Sequence, residues 1–213
     1  MISVDLRGCG GSDRPEGGYD VPNLADDVAW LCNEVGISRP IVVGHSLGGM
    51  IAIELAARHP ALPRAVVAVD PGPINPLPET TRVWAGFADQ LETAEGEAVR
   101  RAWVEAAFLP TDRTDRRRLL IDTMCSVPLD VAAAGIRGLV AWNGIAALAM
   151  CKVPALIVSS RPGGSNDPAR LLPLKPDLQF GMTVGAGHFN HLDVQEQVIP
   201  MMERFIRNAT EPR

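Results

Sequence analysis

The sequence predicts an α/β fold: a mostly parallel sheet with helices on both faces and an inserted helical cap. Three observations carry this. Short apolar, β-branched runs alternate with helical periodicity over residues 1–75, as expected of parallel strands covered on both faces. Residues 76–150 then contain no credible strand, only helical segments rich in Ala, Leu and Trp. After them the strand signal returns and the chain closes on an amphipathic helix. The expected units are a core of residues 1–75 and 151–213 and a cap of residues 76–150, with no internal repeat.

Residues 1–6 read as a short buried strand, ended by the glycine-dense loop Arg7-Gly8-Cys9-Gly10-Gly11-Ser12. Leu24, Val28, Leu31 and Val35 recur at i, i+4, i+7 and i+11, one face of a helix that Gly36 stops. Pro40-Ile41-Val42-Val43-Gly44 is a buried strand. After a sharp turn, the alanine-rich stretch from Met50 to Arg58 is a core helix that Pro60 ends. Ala65 to Val69 is the next strand, closed by Asp70-Pro71-Gly72-Pro73. Beyond the cap, residues 153–158 form a strand and residues 178–184 a weaker one. Val198, Met201, Met202 and Phe205 mark the sheet-facing stripe of the last helix.

Of 213 residues, 46% are hydrophobic and 21% charged, which excludes a disordered chain, a collagen-like repeat and a disulfide miniprotein. Twenty basic residues against 25 acidic ones leave a formal charge of −5, so no nucleic-acid footprint is expected. The triplet Arg116-Arg117-Arg118 reads as a solvated helix face. Cys9, Cys32, Cys125 and Cys151 lack metal-ligand spacing and read as free, mostly buried thiols. No signal peptide or membrane span is visible, and the cytoplasm is the default compartment. Nothing implies a metal or an organic cofactor.

Gly44-His45-Ser46-Leu47-Gly48-Gly49 lies between a predicted strand and a predicted helix, the context that gives a GxSxG pattern meaning. Such a turn strains the backbone of Ser46, and side chains at Gly44 and Gly48 are expected to collide with neighbouring elements. The serine oxygen then stands at a helix N-terminus, with the Leu47 backbone N–H as an oxyanion donor.

The chain resembles the α/β-hydrolase fold family, of the serine esterase and lipase type. The resemblance rests on Val4-Asp5-Leu6-Arg7-Gly8-Cys9-Gly10-Gly11-Ser12-Asp13, on residues 44–49, and on Gly185-Ala186-Gly187-His188-Phe189. It implies a Ser–acid–His triad in that chain order, with Ser46 as nucleophile. His188 matches the family's base and follows a predicted strand. His59 reads as a helix C-cap, His45 as a pocket-lining residue of the elbow, and His191 as a surface or helix-start residue. For the acid, Asp70 at a strand end is favoured. Asp167 is the alternative at the commoner family location, where the usual turn is replaced by Arg161-Pro162-Gly163-Gly164-Ser165-Asn166.

Relatives begin with three more strands, the third followed by a His-Gly loop that supplies a second oxyanion N–H. This chain starts at what resembles the fourth strand. The expectation is a core defect between residues 2–6 and 41–43, or a sheet that closes around the gap, with Met1 as an internal start and the activity of the chain in doubt. The insertion holds Trp84, Phe87, Trp103, Phe108, Met124 and Trp142. Of these, Trp84, Trp103, Met124 and Trp142, together with His45 and Phe189, are expected to line a pocket for a small or medium apolar ester. A lactonase, thioesterase, C–C hydrolase or perhydrolase of the same fold shares that triad. A fragment that binds ligand with little catalysis is the further alternative.

Overall fold

The computed structural model describes residues 1–112, 114–161 and 163–210. Pro162, in the turn ahead of Asp167, and the last three residues of the core segment lie outside them. In chain order the helices are α1 (Val21–Glu34), α2 (Leu47–Arg58), α3 (Pro78–Leu91), α4 (Gly96–Glu105), α5 (Thr114–Cys125), α6 (Leu129–Ala141), α7 (Gly144–Met150), α8 (Pro168–Leu171), α9 (Asn190–Asp193) and α10 (Gln195–Thr210). The strands are β1 (Ile41–His45), β2 (Ala65–Val69), β3 (Ala155–Ser159) and β4 (Gln179–Met182), in the order β1-β2-β3-β4 with every pair parallel.

Alternate residues of the strands feed two cores, as the pleat requires. Val66, Ala68 and Ile157 pack with Leu24 of α1, Ile53 of α2 and Leu148 of α7. Ala65, Val67, Leu156 and Val158 pack on the other face with Val198 and Phe205, members of the stripe expected on α10. α1 starts where Asp20 accepts a hydrogen bond from the Asn23 N–H and ends at Gly36, whose φ of 68° is left-handed. α3 packs on α4 and α6, and α4 on α5, while α7 packs back on α2 and so belongs to the layer over the sheet. No helix among the described residues is long and apolar enough by itself to cross a membrane. All four cysteines are free, Cys32 and Cys151 buried and Cys9 and Cys125 half-buried.

Residues 1–6 depart from expectation. They form no strand, and Met1, Ile2 and Val4 are exposed rather than buried. The physical reason is the space beside them. An apolar trough of about 680 Å³, lined by Ile2, Val4, Leu6, Val28, Ile41 and Val43, separates the segment from β1, so no ladder can form. The segment is held instead through Asp5, which accepts from the Gly11 N–H at 3.0 Å and, through its carbonyl, from the Ser12 hydroxyl at 2.6 Å. The sheet does not close around the gap.

Candidate active site

Ser46 sits between β1 and α2 with φ 53° and ψ −118°, and its side chain makes no helix-capping hydrogen bond. For a β-carbon-bearing residue this left-handed conformation stores strain. It is held because the Ser46 N–H donates to the Val69 carbonyl at 3.0 Å, while the Ser46 carbonyl accepts from the Gly49 and Gly72 N–H groups. A Cβ at Gly44 would stand 2.0 Å from the Gly48 carbonyl oxygen, so glycine is required there. The expectation for Gly48 is wrong. A Cβ there meets nothing within 4 Å; the tight position is Gly49, packed on Pro71 and Ala68. Gly48 faces the trough beside β1. Leu47 is the first residue of α2, so its N–H has no intrahelical partner.

The carboxylate beside His188 is that of Asp70, with Oδ2 2.7 Å from the ring Nδ1. Asp70 follows β2 with φ 38°, and its other oxygen accepts the Ser160 N–H at 2.7 Å. Burial works against its charge, but the hydrogen bonds from His188 and Ser160 outweigh it and hold the carboxyl below the ordinary range. Asp167 is elsewhere: it caps α8, accepting from the Ala169 N–H at 2.8 Å. His188 is carried past β4 on the Gly-Ala-Gly loop and donates its backbone N–H to the Ala107 carbonyl at 3.1 Å. A side chain at Gly187 would come within 2.8 Å of that same carbonyl oxygen, so glycine lets the loop reach the cap.

Ser46, Asp70 and His188 face one cleft of about 440 Å³, together with Trp84, Trp103 and Asn166. Its walls come from the carboxyl ends of the strands and from the helical layer above, where α/β sheets bind ligands. A smaller, more apolar cavity of about 290 Å³ shares Ser46 and His188 with it and is lined also by Leu47, Met124 and Arg100. Trp84 and Trp103 line both cavities and Met124 the smaller one.

Three expected lining residues do not. His45 lies behind His188: its Nε2 is 2.8 Å from the His188 carbonyl oxygen, and its ring is 4.5 Å from that of His188 and 4.3 Å from that of His191. Burial, then the neighbouring His188, push the pKa of His45 down to about 3 and that of His191 to about 4. A neutral His45 can donate its Nε2–H to that carbonyl and brace the loop. Trp142 is buried against α2, its indole N–H donating to Glu54 Oε2 at 2.7 Å, because the chain turns there from α6 into α7. Phe189 points away from the cleft and stacks on Phe108 at 4.6 Å, beside Val104 and Ile121. His59 does end α2, with Nε2 2.7 Å from Asp26 Oδ1, and His191 lies in the first turn of α9.

Sequence reasoning does not pick out Arg100 or Asn166. The Asn166 side chain ties the loops after β2 and β3 together, accepting from the Ile74 N–H and donating to the Pro71 carbonyl, each at 2.9 Å. Arg100 does have a sequence signal. It shares one face of α4 with Trp103 and Val104, at i, i+3 and i+4, and an arginine on an otherwise apolar stripe is unusual.

The profile of the alpha/beta hydrolase fold family matches residues 1–102. The 2-(acetamidomethylene)succinate hydrolase of Mesorhizobium japonicum is 31% identical over 96% of this chain and 77% of its own length. The crystal structure of an E-2-(acetamidomethylene)succinate hydrolase is 28% identical, with a TM-score of 0.76 over 95% of this chain and 80% of that one. A thermophilic esterase from Thermogutta terrifontis superposes with a TM-score of 0.81 at 21% identity, over 97% and 79% of the two chains, a likeness of fold. The chain belongs to the α/β-hydrolase fold family. It is an enzyme, a hydrolase of that fold.

Proposed function

We propose that the chain hydrolyses carboxylic esters of small or medium size through an acyl-enzyme on Ser46. The observation that carries the reading is the 2.7 Å contact between Asp70 and His188 beside a strained serine on the same cleft. Asp70 holds His188 in the Nδ1–H tautomer, which leaves Nε2 as the base. Nε2 takes the hydroxyl proton as Ser46 Oγ attacks the ester carbonyl. The new C–O bond makes a tetrahedral oxyanion, stabilised by the Leu47 N–H and the positive end of α2. Collapse breaks the bond to the alkoxy group, which leaves with the proton from His188. Water, deprotonated by the same nitrogen, then attacks the acyl-serine, and the acid is released as Ser46 recovers its proton. The apolar walls from Trp84, Trp103 and Met124 suit a hydrocarbon substituent.

The reading is tested with a fluorophosphonate probe, which forms a stable adduct with an activated serine. Wild type is expected to label and to turn over short p-nitrophenyl esters, and Ser46→Ala to lose both. Equal labelling of the two proteins would end the proposal.

A further inference from the structure

We infer that Arg100 makes the smaller cavity a carboxylate-binding pocket, so that the preferred ester carries a carboxylate at the end of an apolar arm. This rests on the hydrolase reading above and narrows its substrate class.

Arg100 is 4% exposed, in the middle of the helical layer. One terminal nitrogen donates to the Val127 carbonyl, and the other to the Cys125 carbonyl and to Glu97 Oε2, both at 2.5 Å. The Nε–H is buried and has no partner among the described residues. A buried charged donor left unpaired is costly, and this one belongs to a residue lining the cavity that contains Ser46, Leu47 and His188.

The charge balance of that cavity points to an anion. Two arginines, Arg7 and Arg100, line it, and no carboxylate does among the described residues. Arg7 is already matched, its Nε and one terminal nitrogen held by the two oxygens of Asp27 at 2.6 and 2.5 Å. The partner of Arg100 is weaker. Glu97 is 66% exposed on the water side, where solvent screens it. From inside the cavity the guanidinium is therefore under-neutralised; its Nε–H is closed off as it stands, and a small turn of the side chain lets it form a charge-assisted bond to a carboxylate that enters beside it. Around it Trp84, Trp103 and Met124 leave room for a short hydrocarbon arm.

Two isosteric ester pairs test this. Monoethyl glutarate against ethyl 5-methylhexanoate puts the carboxylate on the acyl side; 4-acetoxybutyrate against 4-methylpentyl acetate puts it on the alcohol side. The readout is the ratio of kcat/KM for charged over neutral member, measured by acid release. In at least one pair the wild-type ratio is expected to exceed one, and to fall by about 10- to 100-fold in Arg100→Gln. A ratio at or below one in both pairs, or one that survives Arg100→Gln, overturns the inference and leaves Arg100 as a brace for the chain after α5.

Should Arg100→Gln not fold, Glu97→Gln decides. It removes the competing carboxylate from an exposed position, so the ratio is expected to rise a few-fold; an unchanged ratio overturns the inference. Calorimetric binding of glutarate separates this inference from the hydrolase reading. Binding that weakens at least tenfold in Arg100→Gln, in a protein that turns over no ester, supports the anion site and sinks the catalytic reading. Ester turnover with indifferent glutarate binding does the reverse.

Discussion

β1 and β2 lie side by side and pair residue for residue, from Ile41 with Ala65 to His45 with Val69. Both are five-residue apolar strands, and each is followed by one residue at positive φ that faces the cleft, Ser46 after β1 and Asp70 after β2. Their surroundings differ. Every residue of β2 is buried, whereas β1 is only half-buried and borders the trough. The elbow leans toward the filled side. Ser46 bonds to Val69 of β2 and to Gly72 beyond it, and Asp70 bonds to Val158 and Ser160. The placement of the cleft residues is thus carried by the packed strands, and the open flank of β1 bears on stability more than on geometry.

The largest expected effect lies on the packed side. Asp70→Asn is expected to leave the fold intact, since asparagine tolerates the left-handed region and can still accept the Ser160 N–H. Its amide would then face Nδ1 of His188, favouring the tautomer with the proton on Nε2, which cannot accept one from Ser46. Turnover should fall on the order of 10⁴-fold. Asp167→Asn, an N-cap exchanged for an equally good one, should change turnover less than about tenfold. Steady-state kinetics of both variants on one ester, with circular dichroism for the fold, check this; the reverse order of effects would move the acid to Asp167.

Two glycines sharpen the contrast at the elbow. Gly44→Ala drives a methyl into the Gly48 carbonyl and should cost about 3 kcal/mol or more. Gly48→Ala points its methyl into open space within α2, where alanine is favoured over glycine by about 0.5–1 kcal/mol, so it should be neutral or stabilising. Urea denaturation reads both. If Gly48→Ala destabilises as strongly as Gly44→Ala, the trough is filled in solution and the two flanks are alike.

How much of this was legible in the sequence follows the same division. β2, β3 and the elbow were readable because each is a local pattern whose neighbours are present. The family resemblance and the strand ends narrow the acid to two residues, but only the fold brings Asp70, and not Asp167, to the His188 ring. Residues 1–6 look like a strand by composition, but among the described residues no strand lies beside them to form a ladder, which no local pattern records. Phe189 and His45 adjoin His188 and Ser46 in sequence, yet neighbouring residues point in different directions, so adjacency misplaced both. Trp142 misled because a tryptophan in a helical insertion carries no mark of whether it faces the cleft or the sheet layer. Arg100 was hidden in a charged-looking segment; its burial depends on α4 lying against α5.

The smallest effect is the most direct comparison of the two strands. Val43 and Val67 are register partners, and in a parallel ladder both side chains leave the sheet on the same face. On that face Val67 is fully buried among Leu156, Val198 and Phe205, where α10 packs over β2 and β3, whereas Val43 is 48% exposed and borders the trough. Val67→Ala removes two methyl groups from a filled core, a transfer loss with a cavity left behind, and should cost about 2–3 kcal/mol. Val43→Ala takes the same atoms from a wall already in contact with water and should cost less than about 0.5 kcal/mol. Both are read from urea midpoints at constant m-value. Equal losses at the two positions would mean that β1 is covered in solution as β2 is, and that the open flank does not describe the folded protein.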